Sequence, residues 1–200
     1  MQAEPGQTAL AGTRDRIVRA AARLFAANGY HGTGMTELLD EMRLGKGGFY
    51  YHISRKEDLL LEIMLEPIDR VLSTSRAIVS AQLVDPPLAL RALGDDLGKA
   101  MASDLDAWTV FLREYSALSD QGKALVLDRR EQYLDRWRGV LEEGVRQGVF
   151  RSLNLAFVDS ILGIFIYTYV WNRESASREL TDSIMSVVLH GVTACQNPNP

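Results

Sequence analysis

Between Thr33 and Lys56 the chain reads TGMTELLDEMRLGKGGFYYHISRK, and this stretch constrains the fold more than any other. Met35, Leu38, Leu39 and Met42 recur at helical steps, which predicts a short amphipathic helix with Thr33 or Thr36 available to cap its start. Arg43-Leu44-Gly45 then reads as a turn and Lys46 to His52 as a second helix, with Phe49 directed into a core. Two short helices joined in this way form a helix-turn-helix, the unit whose second helix lies in the major groove of DNA. The pattern predicts a DNA-reading head over residues 13–60.

Charge distribution bears on this more than total charge does. The 200 residues carry a formal net charge of −4, which alone argues against nucleic acid, yet residues 1–60 hold eight Lys or Arg against seven Asp or Glu while the remainder holds 14 against 19. Positive charge is therefore relatively concentrated at the front. With 46% apolar residues, the chain can bury a sizeable core, in one domain or in a small head with a larger body. Cys195 is the single cysteine, which leaves no internal disulfide or cysteine-rich metal site and suits a reducing cytoplasm. The opening MQAEPGQTALAG lacks the basic patch and apolar core of a signal peptide and reads as a disordered arm over residues 1–12. The most apolar run, Leu162 to Trp171, is about half of the roughly 20 residues that a membrane-spanning helix needs, and Asp159 and Arg173 flank it. It predicts a buried helix and no membrane partner.

The rest of the chain also reads as helix. From Thr13, which together with Asp15 is a candidate cap, Ile17, Ala20, Ala21, Leu24 and Phe25 share one face, and Gly29 ends the segment. Arg14, Arg16, Arg19 and Arg23 fall largely off that face, where each either meets phosphate or is simply solvated; solvation is the favoured reading for any one alone. Leu59 to about Ala81 keeps helical spacing around Pro67, which predicts a kink. Asp85-Pro86-Pro87 breaks the chain before helices over about 88–102, 104–115 and 121–147. Gly148 to Arg151 turns it, and two further helices are expected over about 154–173 and 177–194. No strand pattern or internal repeat stands out, so the expected fold is all-α, with about nine helices.

The head resembles that of the TetR family of bacterial transcriptional regulators. The residues that carry the likeness are Arg16-Ile17, Leu24-Phe25, Gly29-Tyr30, Thr33, Gly47-Gly48-Phe49-Tyr50-Tyr51-His52 and Lys56-Glu57-Asp58-Leu59. They cover the first quarter to third of the chain, in matching order and spacing. Departures cluster in and around the turn: the family usually has alanine where Leu39 and Met42 stand, glycine at Arg43, serine or threonine at Gly45 and phenylalanine at Ile53. Bulkier Leu39 and Met42 imply wider helix packing. A left-handed Arg43 would be strained by about 1 kcal/mol or more, which predicts a turn shifted towards Gly45.

The resemblance implies that residues 61–200 form a helical ligand-binding and dimerisation domain, that two copies pair through the last two helices, and that the helix after the motif, with Pro67 as a possible hinge, connects head to body. It also implies a DNA contact set of Thr33, Thr36, Lys46, Gly47, Gly48, Tyr50, Tyr51, His52 and Lys56. From the residues themselves, Lys46 at the helix start suits guanine O6 or N7, a contact worth about 1–3 kcal/mol when well aligned. The glycines let backbone lie close to DNA but cost helix propensity, about 1 kcal/mol each, so this helix is expected to fray without DNA. His52 read blandly is a capping residue, and Tyr50 a half-buried packing residue.

In the body the resemblance implies a pocket for a small hydrophobic or amphipathic effector, for which Trp108, Phe111, Tyr115, Tyr133, Trp137, Tyr167 and Trp171 are the candidate lining; core packing is the plainer reading of any single one. Arg113 or Arg138 could meet an acidic group on such a ligand. Tyr167-x-Tyr169-Val170-Trp171 faintly resembles regulators of lipid or sterol catabolism that sense acyl-CoA thioesters. Catalysis is not expected: His31, His52 and His190 lack metal-ligand spacing, no Gly-x-Ser-x-Gly elbow occurs, and Gly45-Lys46-Gly47 lacks the Ser or Thr and the strand of a phosphate loop. No cofactor or metal is expected. The expected function is a ligand-responsive, cytoplasmic transcriptional regulator, a repressor, bound as a homodimer to a palindromic operator; the alternative is a constitutive or architectural DNA-binding protein without an effector.

Overall fold

The structure, a computed structural model, describes residues 5–82, 84–175 and 177–194. Among these the order is α1 (Pro5–Asn28), α2 (Met35–Met42), α3 (Lys46–His52), α4 (Lys56–Gln82), α5 (Pro86–Ser103), α6 (Leu105–Glu114), a short 3-10 turn, α7 (Asp120–Arg146), α8 (Phe157–Trp171), a second 3-10 turn and α9 (Arg178–Val192). The all-α expectation holds. The one β-like feature among the described residues is an isolated antiparallel bridge between Phe150 and Thr193. None of the described helices is long and apolar enough to cross a membrane. Cys195 lies outside the described residues.

Helix boundaries differ from the expected ones for local reasons. α1 begins at Pro5, not Thr13, so residues 5–12 are helix where a disordered arm was expected. Proline at the first helical position has its φ already set and loses no bond, and Ala9, Leu10 and Ala11 are strong helix formers. α5 likewise takes Pro86 at its start, with Asp85 Oδ1 accepting the Leu88 N–H at 3.0 Å. α8 starts at Phe157 instead of Asn154, because the Asn154 side chain accepts the Ala156 N–H at 2.9 Å and closes a turn there. α4 runs through Pro67 without a break.

The chain divides into two compact units. The first contains the described residues up to Pro67 together with Asp106–Val126; the second contains Ile68–Leu105 and the residues from Leu127 onwards. The division therefore falls at Pro67 and draws most of α6 and the start of α7 in with the head, whereas the sequence placed one linear boundary at residue 60. In the first unit Ile17, Ala21, Phe25, Leu38, Phe49, Ile53, Leu59 and Ile63 form a dry core. Each large side chain buried there contributes about 1.5–3 kcal/mol.

In the second unit α5 packs on α9 at glycines. A Cβ at Gly98 would stand 2.0 Å from Thr181 Oγ1, and one at Gly94 2.1 Å from Met185 Sδ, so the two helices approach as closely as they do only because both side chains are absent. The Tyr169 hydroxyl joins this seam by donating to the Ser177 carbonyl at 3.0 Å and lying 2.5 Å from Thr181 Oγ1. An aromatic run of Tyr133, Trp137, Phe165 and Tyr169, with neighbouring centroids 6.2–6.5 Å apart, fills the space between α7 and α8.

A candidate nucleic-acid interface

The α2–α3 turn is closed by backbone hydrogen bonds. Arg43 sits at φ 52°, ψ 43°, its N–H donating to the Asp40 carbonyl at 3.1 Å, and the Leu44 N–H donates to the Leu39 carbonyl at 3.0 Å. This pair of bonds is a Schellman motif, and it demands a left-handed residue at position 43. The expected shift towards Gly45 does not occur: Gly45 is extended, at φ −71° and ψ 155°. Arg43 is the one non-glycine residue with positive φ among the described residues, and the turn holds it there because relaxing it would break both bonds.

α3 is anchored by Phe49, which is fully buried, while Lys46, Gly47, Gly48, Tyr50 and Tyr51 all reach solvent, Tyr51 with 72% of its surface. His52 is half-buried; its carbonyl accepts Arg14 Nη1 at 2.6 Å, and Arg14 also grips Glu62 with two bonds of 2.7 and 2.9 Å. Arg14 thus ties α1 to the end of α3 and to α4, a role that the sequence did not reveal. Space around the glycines is open. A Cβ at Gly47 would meet nothing within 4 Å, and one at Gly48 only Leu44 Cδ2 at an ordinary 3.7 Å.

Two of the expected DNA contacts are turned inward. Thr33 is 1% exposed, and its hydroxyl donates to the Gly29 carbonyl at 2.9 Å, back towards α1. The cap position of α2 is Gly34, which has no side chain to supply a bond, and Thr36 lies inside the helix, exposed. Neither threonine caps α2 as anticipated; the Gly29 turn brings Thr33 within reach of a carbonyl first. Lys56 is also committed to the fold. Its ammonium donates to the carbonyls of Tyr30 and, at 2.5 Å, Thr33, and it stands 4.2 Å from the Tyr30 ring centroid and 5.4 Å from that of Phe25. Burial pushes its pKa down, opposed by the carboxylates of Glu114 and Glu37.

The residues expected to line a pocket fall into three sets. Trp108 and Phe111 pair edge-to-face at 5.9 Å in the first unit, where Tyr115 is half-buried. Tyr133 and Trp137 are buried in the second unit, at 3% and 0% exposure. Tyr167 and Trp171 line no interior: they share an exposed face of α8 with Phe157 and Ile164, Trp171 at 72% exposure. Spacings of seven, three and four residues put these four on one stripe. Arg138 is occupied by Glu131, Asp135 and Asp159 and is not free for a ligand. No group of His, Cys, Asp and Glu able to hold a metal occurs among the described residues.

A helix-turn-helix with its second helix anchored by one aromatic and otherwise open, in an all-helical chain with a larger second unit, defines a DNA-binding regulator. Residues 17–63 match the N-terminal domain described as bacterial regulatory proteins, tetR family, and residues 85–192 match the tetracyclin repressor-like C-terminal domain. The chain belongs to the TetR family of transcriptional regulators. It is 27% identical over 199 residues, covering 93% of this chain and 94% of the relative, to the HTH-type transcriptional repressor KstR2 of Rhodococcus jostii RHA1. Among solved structures it is similar to a tetR-family regulatory protein from Rhodococcus RHA1 (TM-score 0.81, 25% identity, 92% of this chain and 98% of that one). It is also similar to AibR, solved in complex with isovaleryl coenzyme A and operator DNA (TM-score 0.73, 25% identity, 90% and 98%).

Proposed function

We propose that this chain is a cytoplasmic, ligand-responsive repressor that binds a palindromic operator as a homodimer and is released from it by a small apolar or amphipathic effector. The observation that carries the DNA-binding half is α3 itself, where nothing in the fold calls for glycine at position 47 and the neighbouring side chains point outwards. A glycine that costs helix propensity and relieves no internal contact is explained by a surface that must come close to α3. DNA supplies that surface. Lys46 reads base edges, Gly47 and Gly48 admit the groove wall, and Tyr50, Tyr51, His52 and Thr36 meet backbone or bases. Lys56 and Thr33 act one step back, holding the loop from which α2 starts.

The apolar stripe Phe157, Ile164, Tyr167 and Trp171 on α8, with exposed Val187 on α9, suits pairing with a second copy across a two-fold axis. Two recognition helices about 34 Å apart would then enter successive major grooves. The complex of AibR with isovaleryl coenzyme A and operator DNA supports an effector of amphipathic kind for this chain as well. Catalysis has no part in this reading.

The test is a binding titration against a palindromic operator and against its single half-site. The wild type should favour the palindrome by far more than the statistical factor of two, and Lys46→Ala should bind operator and scrambled DNA with nearly equal affinity. Equal affinity of wild type for the palindrome and the half-site would refute the dimer, and undiminished discrimination by Lys46→Ala would refute the base contact. The alternative, constitutive binding without an effector, would appear as operator binding unmoved by any apolar or amphipathic acid.

A further inference from the structure

The second unit holds three polar atoms that are buried without a hydrogen-bond partner: Tyr133 Oη, Arg136 Nε and Trp137 Nε1. They stand together. Positions 133, 136 and 137 lie within one turn of α7 and share one face of it. Two belong to side chains that are almost wholly enclosed, Tyr133 at 3% and Trp137 at 0% exposure. All three atoms can donate, and the indole and guanidinium nitrogens can do nothing else.

Their neighbours answer them only in part: burial raises the Tyr133 pKa and a contact from the Trp137 side chain opposes that rise, so the indole N–H leans on Tyr133 Oη and leaves the Tyr133 O–H and Arg136 Nε without an acceptor. The other arginines of this stretch of α7 are paired, Arg129 with Asp69 at 3.0 Å, Arg130 with Asp159 at 2.5 Å and Arg138 with Glu131, Asp135 and Asp159, while Arg136 has no acidic partner among the described residues. Asp96 is the carboxylate whose charge reaches Tyr133, and it is engaged by the Thr74 hydroxyl. A buried donor left unpaired is destabilising, and the Tyr133 O–H and Arg136 Nε, three residues apart on α7, make a local deficit of acceptors. The aromatic run beyond them offers the rings of Phe165 and Tyr169, the Tyr169 hydroxyl being engaged by Ser177 and Thr181.

We propose that this face of α7 is the seat for the head group of the effector, and that the head group is a carboxylate on an otherwise apolar molecule, its oxygens accepting from Tyr133 and Arg136 while its carbon skeleton lies against the aromatic run. The inference rests on the reading of the chain as an effector-controlled regulator. It moves the acid-binding role from Arg113 or Arg138 to Arg136, a residue whose importance shows only in what it lacks.

The experiment uses the full chain and three acids of different skeleton, decanoate, 4-phenylbutanoate and deoxycholate, each beside its methyl ester, with affinity measured by calorimetry. At least one acid should bind at least tenfold more tightly than its ester. Tyr133→Phe should weaken that acid by about three- to tenfold, the worth of one hydrogen bond, while leaving the melting temperature of the ligand-free protein unchanged or raised. Arg136→Gln should abolish the preference for acid over ester. Three results overturn the proposal: esters bound as tightly as acids, none of the six bound, or Tyr133→Phe lowering the ligand-free melting temperature without affecting acid affinity, which marks a hydroxyl satisfied by buried water. Ligand-free operator binding, titrated alongside, reports separately on whether the chain is a DNA-binding regulator.

Discussion

Lys56→Met separates two roles that the same residue could have. As a phosphate contact, Lys56 would be an exposed cation whose loss changes DNA affinity and little else. As placed, its ammonium holds the carbonyls of Tyr30 and Thr33 and lies over the Tyr30 ring, joining the start of α4 to the loop between α1 and α2. Hydrogen bonds to a charged group contribute about 1.5–3 kcal/mol and a partly exposed cation–π contact about 0.5–1 kcal/mol. Part of this is offset by the cost of desolvating the ammonium, the same cost that pushes its pKa down. A net loss of about 2 kcal/mol follows, equivalent to about 4–8 °C in melting temperature for a chain of this length. DNA binding supplies the second measurement. Each lost phosphate contact lowers the slope of log K against log salt by about 0.9, so a dimer losing two would drop by about 1.8. The expected result is a destabilised variant that binds operator more weakly at every salt concentration with an unchanged slope. A stable variant whose slope falls by nearly two would refute the brace and restore the phosphate contact.

Three further outcomes follow from the head. Gly47→Ala should stabilise the protein by up to about 1 kcal/mol through helix propensity and weaken operator affinity at least tenfold, since the added methyl meets nothing inside the protein; thermal melts and anisotropy titrations moving in the same direction would contradict this. Arg43→Gly should stabilise by about 0.5–1 kcal/mol, the release of about 1–2 kcal/mol of left-handed strain less the greater flexibility glycine gives the unfolded chain, whereas Arg43→Ala keeps the strain and should change little. Denaturant midpoints of the pair decide it. Glu57 is hydrogen-bonded by the Ser119 side chain and accepts the Ser119 N–H at 3.0 Å, and these bonds, the side-chain one above all, hold its carboxyl below the ordinary range. The folded state therefore favours the ionised form, so their stability is present above the unfolded value of about 4.3 and is lost as pH falls through the lower folded value. The stability gap between wild type and Glu57→Ala should be constant from neutral pH to about 5 and close below about 4.

What could be read from the sequence was whatever local rules decide. Phe49 falls at a helical step from Leu38, Leu39 and Met42 across a turn of fixed length, so its burial and the exposure of Lys46, Tyr50 and Tyr51 follow from periodicity. Thr33 and Lys56 share a feature that periodicity does not carry: both meet backbone carbonyls of the α1–α2 loop, and no side-chain pattern announces where a carbonyl will stand. Arg43 was misjudged. Propensity argued for moving the turn to Gly45, but two backbone bonds and the buried Leu39 and Met42 fix the register, and together they outweigh about 1 kcal/mol of strain. The start of α1 was missed because a polar, proline-containing segment reads as an arm until the proline is placed at the first helical position, where it is favourable.

The aromatic residues of the body show where such reading stops. A stripe at spacings of three, four and seven says that one face of a helix avoids water, and says nothing about what covers it. Trp137 and Trp171 look alike on that criterion, yet one is sealed in the second unit and the other stands on an open face. Their polar atoms tell them apart. A face meant for a second copy can leave its tyrosine hydroxyl and indole N–H in water until the partner arrives, whereas Tyr133 and Trp137 have already lost that water and lean only on each other. Paired with the unpartnered Arg136, they give the second unit a chemical preference that its apolar lining alone would not have, and the acid–ester comparison measures that preference directly.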